Sequence, residues 1–64
     1  MTLQRARELI EERSQGMGAY NRNGVRLVLA EIIKEHGQSA ADNLIREFAL
    51  EERFDIEPGI PIRI

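Results

Sequence analysis

The chain has no cysteine and no tryptophan, and only two prolines, one tyrosine and two phenylalanines in 64 residues. Without cysteine there is no disulfide framework, no iron–sulfur cluster and no thiolate-bound zinc. Those are the usual staples of a domain this small, which buries only ~60% of the surface its unfolded chain exposes. What remains is good helix packing, a partner chain, or both. No apolar run approaches the ~20 residues that span a bilayer, so no membrane association is expected. Met1-Thr2-Leu3-Gln4-Arg5 runs into charge without the apolar core of a secretory signal, and the early glutamates Glu8, Glu11 and Glu12 argue against an organellar transit peptide. The expectation is a cytoplasmic chain.

Charge of one sign is lacking too. Nine basic and eleven acidic side chains leave a net charge of −2, with no global pull toward nucleic acid or anionic lipid. The distribution is uneven. Residues 1–18 balance, residues 19–37 carry +1, and residues 38–64 carry −3 from Arg46, Arg53 and Arg63 against Asp42, Glu47, Glu51, Glu52, Asp55 and Glu57. A hydrophobic fraction of 42% and a charged fraction of 31% then describe an ordinary globular domain.

Hydrophobic periodicity indicates helices. Thr2 can cap a first helix to about Ser14 or Gln15, with Leu3, Ala6, Ile10 and Met17 on one narrow stripe, Leu9 at its margin and an Arg7–Glu11 pair outside. Gly16 and Gly18 end it. Ala19-Tyr20-Asn21-Arg22-Asn23-Gly24 reads as a polar connection, with Asn21 or Asn23 as N-cap of the second helix. That helix, to His36, has Val25, Val28, Leu29, Ile32 and Ile33 on one broad face and Leu27 and Ala30 on the other side. A helix apolar on two sides needs cover from two directions. Gly37 and Gln38 make a turn, and Ser39 with Asp42 resembles a capping box for a third helix with Ala41, Leu44, Ile45 and Phe48 inward. A break near Ala49 leaves Leu50, Phe54 and Ile56 as a second small cluster, on one extra helical turn. Pro58-Gly59 suits a type II turn. Ile60, Ile62 and Ile64 then alternate with Pro61 and Arg63, the period of an edge strand.

The fold class expected is therefore all-α: a small three-helix domain with helices at about 3–15, 24–36 and 40–50. Residues 1–59 form a single domain and 60–64 an extended apolar tail, with a short hairpin or strand within 54–64 as the alternative. The first helix is too narrow-faced and the second too broad-faced to complete a core by themselves. The shortage falls on Leu27, Ala30, Leu50 and the tail, where a second chain is expected.

No constellation points to catalysis. His36 is the only histidine and stands at a helix C-terminus, where a cation meets the dipole favourably. Consecutive acids such as Glu11-Glu12 and Glu51-Glu52 point ~100° apart on a helix and read as solvated charge. No catalytic residue, metal or cofactor is expected, and no enzyme. The turn at Gly37 invites comparison with a DNA-binding helix-turn-helix, but Ile33, Asn43 and Arg46 occupy the positions where that motif wants a small residue and two apolar ones. The Tyr20–Gly24 stretch, with Arg22 and Arg26 one turn apart near a helix N-terminus, is a candidate binding loop for an anion or acidic surface. The expected function is a small protein-interaction or regulatory module, acting as a homodimer and on an unidentified protein. Its partner-binding residues would be Tyr20, Asn21, Arg22, Arg26, Leu27, Ala30, Ile60, Ile62 and Ile64. The alternative is a nucleic-acid-binding regulator using a surface of Arg5, Arg7, Arg22 and Arg26.

Overall fold

The computed structural model describes residues 1–15 and 19–62; the side chains of residues 19–21 lie outside the described part. Four helices and no strand occur among the described residues: α1 (Leu3–Arg13), α2 (Ala19–His36), α3 (Gln38–Glu47) and α4 (Leu50–Phe54). The all-α class expected from periodicity is the class observed. Among the described residues no helix is long and apolar enough to cross a membrane.

Helix α1 begins as its capping residue dictates. Thr2 is extended, and its Oγ1 accepts the Arg5 backbone N–H at 3.0 Å, satisfying one of the orphan donors of the first turn. The stripe buries Ala6 and Ile10. At the other end Ser14 caps: its N–H and its hydroxyl both donate to the Ile10 carbonyl. Gly16, Met17 and Gly18, expected at the stop, lie outside the described residues.

Helix α2 starts five residues before the expected position. Residues 20–24 are helical, so the connecting loop and the caps at Asn21 and Asn23 do not exist. The extra turns are held by tertiary contacts that local propensity does not reveal. Arg22 Nε donates to the Phe54 carbonyl at 2.8 Å, so α2 closes the C-terminal end of α4. Gly24 lies under the Arg13 side chain, where a Cβ would stand 2.7 Å from Arg13 Cδ. Val25, Val28, Leu29 and Ile32 are buried as the broad inner face.

Gly37, at φ 95°, reverses the chain in one residue, with its N–H donating to the Ile32 and Ile33 carbonyls at 3.2 and 3.0 Å. That backbone region admits glycine and strains other residues. The reversal is tighter than expected, so α3 begins at Gln38 and Ser39 falls inside the helix. It caps nothing. Asp42, released from a capping box, accepts from Gln38 Nε2 at 2.9 Å and from the Gly59 N–H at 2.7 Å. The second bond ties the Pro58-Gly59 turn to α3, with Gly59 at φ 83°, in the left-handed region a type II turn requires of its third residue.

Ala41, Leu44 and Ile45 are buried from α3, and Ala49 breaks the helix in left-handed conformation (φ 53°). The expected extra turn follows as α4. Leu50 is fully buried and Ile56 nearly so, both in the same cluster as the residues of α1, α2 and α3. Leu50 is therefore not short of cover, and the second cluster is not separate. The hairpin alternative for 54–64 is likewise not taken among the described residues, because Phe54 is helical and Asp55 turns left-handed at φ 58°. Instead the tail bends back, and Ile62 packs against the core. With α2 between α1 and α3, the accessible surface is 4298 Å². Scaling predicts ~4200 Å² for a monomer of this mass, so one chain closes an ordinary core by itself.

Candidate interaction surface

What the core leaves uncovered is narrower than the sequence implied. Leu27 (51% exposed) and Ile60 (53% exposed) are the large apolar side chains still facing outward among the described residues. They lie on different faces.

Leu27 stands in a groove of about 410 Å³ between α1 and α2, lined by Met1, Leu9, Arg13, Leu27, Val28, Ala30, Glu31 and Lys34. Helix geometry explains the lining: residues 27, 30, 31 and 34 recur at three and four, the spacing of one helix face. Val28 turns inward and forms the floor, while Leu9, at the margin of the α1 stripe, is only partly buried. The groove's rim is charged by Arg13, Glu31 and Lys34. At one end the Met1 amine donates to both Glu35 carboxylate oxygens at 2.8 and 2.5 Å, and the Met1 carbonyl accepts from His36 Nε2 at 2.8 Å. The amine's hydrogen bond, helped by the charges of the amine, His36 and Lys34, holds the Glu35 carboxyl below its usual range. His36, exposed at the end of α2, thus ties the Met1 backbone to that helix end.

Ile60 lines a second, smaller cavity of about 240 Å³ with Arg22, Arg26, Asp55, Ile56, Glu57, Pro61 and Ile62. The two arginines share a face one turn apart, as read from spacing, but the helix N-terminus expected beside them lies at Ala19. Arg22 is spent on the Phe54 carbonyl, and the acids Asp55 and Glu57 face the same space. An anion site here would meet opposing charge.

Of the nine partner-binding residues expected, the structure therefore groups Leu27 with Ala30 on one face, and Arg22, Arg26, Ile60 and Ile62 on another. The side chains of Tyr20 and Asn21, and all of Ile64, lie outside the described residues. The sequence reading missed Arg13, Glu31 and Lys34; the i, i+4, i+7 spacing of Leu27, Glu31 and Lys34 was the available signal. The arginines of the alternative reading are dispersed in purpose. Arg7 pairs with Glu47 of α3 at 3.0 Å rather than with Glu11, and Arg5 approaches Glu8 at 3.7 Å with both side chains more than half exposed. Arg53 donates to the Ser14 carbonyl at the end of α1 and lies 5.7 Å above the Phe54 ring. Among the described residues no three His, Cys, Asp or Glu side chains are grouped as metal ligands. Compared with protein-family models, curated proteins and solved structures, the chain matches none.

Proposed function

We propose that this chain is a small cytoplasmic interaction module that acts by binding proteins, a second copy of itself first, and that it performs no catalysis. One observation carries the reading: Leu27 stays half-exposed in an apolar groove although the rest of the core is closed. A chain that can bury Leu50 and Ile56 from its last third has the means to cover a leucine. A concave site with an apolar lining and a few charged groups at its rim is suited to seating a partner. Ile60 at the second cavity offers a separate contact for an unidentified protein partner. The cysteine-free composition suits a reducing compartment.

The nucleic-acid alternative needs Arg5, Arg7, Arg22 and Arg26 to act together toward phosphate. Two of them, Arg7 and Arg22, already hold α3 and α4 in place, which favours protein binding. Sedimentation equilibrium over a micromolar series tests the proposal: a dimer that grows with concentration is expected, and a monomer throughout refutes the homodimer. A mobility shift whose affinity falls steeply with salt would instead establish phosphate contact.

A further inference from the structure

We propose that the occupant of the α1–α2 groove is the same groove of a second copy, with α2 packed antiparallel on α2 of that copy about a two-fold axis at Leu27. This rests on the homodimer reading and specifies its surface.

Gly24 and Glu31 stand three residues before and four after Leu27, ~4.5 Å and ~6 Å to either side along the helix axis at ~1.5 Å per residue. A two-fold axis at Leu27 therefore sets Glu31 of each copy level with Asn23 of the other, within ~1.5 Å along the axis of its Gly24. Across Gly24 lies the Arg13 side chain, with Cδ and Nε 2.7 and 3.1 Å from where a Cβ would be. The missing Cβ lets the arginine cross α2 and reach the groove that Leu27 and Glu31 line. Neither Arg13 nor Glu31 forms an ion pair within the chain among the described residues. The symmetry makes each the partner of the other twice, once on each side of a Leu27–Leu27 contact. A closed two-fold interface must be self-complementary in this way. Beside Leu27, Ala30 is small enough for the helices to approach closely.

A standard interface of ~800 Å² per partner would cover nearly a fifth of the 4298 Å² accessible surface, more than one groove and its rim supply, which places the dimer in the weak, concentration-dependent class.

Sedimentation equilibrium on the full chain, with far-UV circular dichroism to confirm folding, tests the arrangement through Arg13→Glu and Glu31→Arg. Each variant alone sets like charges against each other at both sites and weakens dimerisation at least about tenfold. Mixed in equal amounts, the two are complementary at both sites and recover dimerisation as a heterodimer. Should a charge reversal impair folding, Arg13→Gln and Glu31→Gln give the same direction with a smaller loss. A wild-type dimer unaffected by either variant leaves the homodimer standing and overturns this surface. Weakening by both variants without recovery on mixing overturns the Arg13–Glu31 pairing. A wild-type monomer at every concentration overturns the dimer and the surface together.

Discussion

Two leucines of the same chain should respond oppositely to truncation. Leu50 is fully buried at the start of α4, within the one core cluster, while Leu27 is 51% exposed on the groove side of α2. Replacing a buried leucine with alanine removes three methylene-sized groups and leaves a cavity, at a cost of about 2.7–5 kcal/mol. A chain of 64 residues has roughly 3–10 kcal/mol to lose at ~0.05–0.15 kcal/mol per residue. Leu50→Ala therefore removes a large share of the stability. With an unfolding entropy of ~2.1 cal/mol/K per residue, a loss of about 3 kcal/mol lowers Tm by roughly 20 °C. Leu27→Ala, whose outer half is already solvated, should cost under ~1 kcal/mol in the monomer. Thermal and urea melts by circular dichroism, run at low and high protein concentration, separate the two. Leu50→Ala lowers Tm equally at both concentrations; Leu27→Ala lowers the dilute value by no more than about 7 °C and removes the rise of Tm with concentration that dimerisation confers. Equal losses for both variants in dilute solution would refute the claim that the chain closes its core without a partner.

The hydrogen bonds from Gln38 and Gly59 hold the Asp42 carboxyl below its ordinary 3.8. A depressed carboxylate pKa adds stability above the unfolded value, lost as pH falls through the folded one. The urea midpoint of wild type should thus exceed that of Asp42→Asn at neutral pH and converge with it as the pH falls below 3.8 through the lowered folded-state pKa, and the Gly59 amide chemical shift should titrate with the same pKa. Arg22→Gln removes the charge-assisted bond to the Phe54 carbonyl, and is expected to cost about 1–2 kcal/mol and to speed hydrogen exchange in α4 before the other helices. Gly37→Ala meets no steric neighbour, since nothing lies within 4 Å of the added Cβ. Its cost, about 1–2 kcal/mol by denaturant titration, should come from the positive φ alone.

The inner faces of α1, α2 and α3 were legible in the sequence because they depend on periodicity alone. Ala6 and Ile10, then Val25, Val28, Leu29 and Ile32, then Ala41, Leu44 and Ile45, recur at helical spacing and are buried together. Helix ends were legible where a single side chain or a glycine acts locally, as at Thr2 and Gly37, and so was the turn at Gly59. They failed at Asn21, Asn23 and Ser39, which have good capping chemistry but lie within helices. A cap lowers the free energy by about 1 kcal/mol, and docking Arg22 on the end of α4 outweighs it. The candidate surface was half legible. Leu27 and Ala30 stood out as an apolar second side to α2, but their charged neighbours did not. Arg13 comes from a different helix, and its approach depends on the hydrogen of Gly24.

What the sequence by itself determined is the helical class, the inward face of each helix and the absence of covalent or thiolate staples. These follow from spacing and residue type, which hold whatever the neighbours are. Only the tertiary structure decided which apolar residues remained short of cover. Leu50 and Ile56 found it within the chain, the tail folded back through Ile62, and among the described residues the deficit contracted to Leu27 and Ile60. That outcome depends on how the last third of the chain wraps the first two helices. Contacts between residues such as Arg22 and Phe54, or Arg53 and Ser14, are set by packing in three dimensions and leave no periodic trace in the sequence.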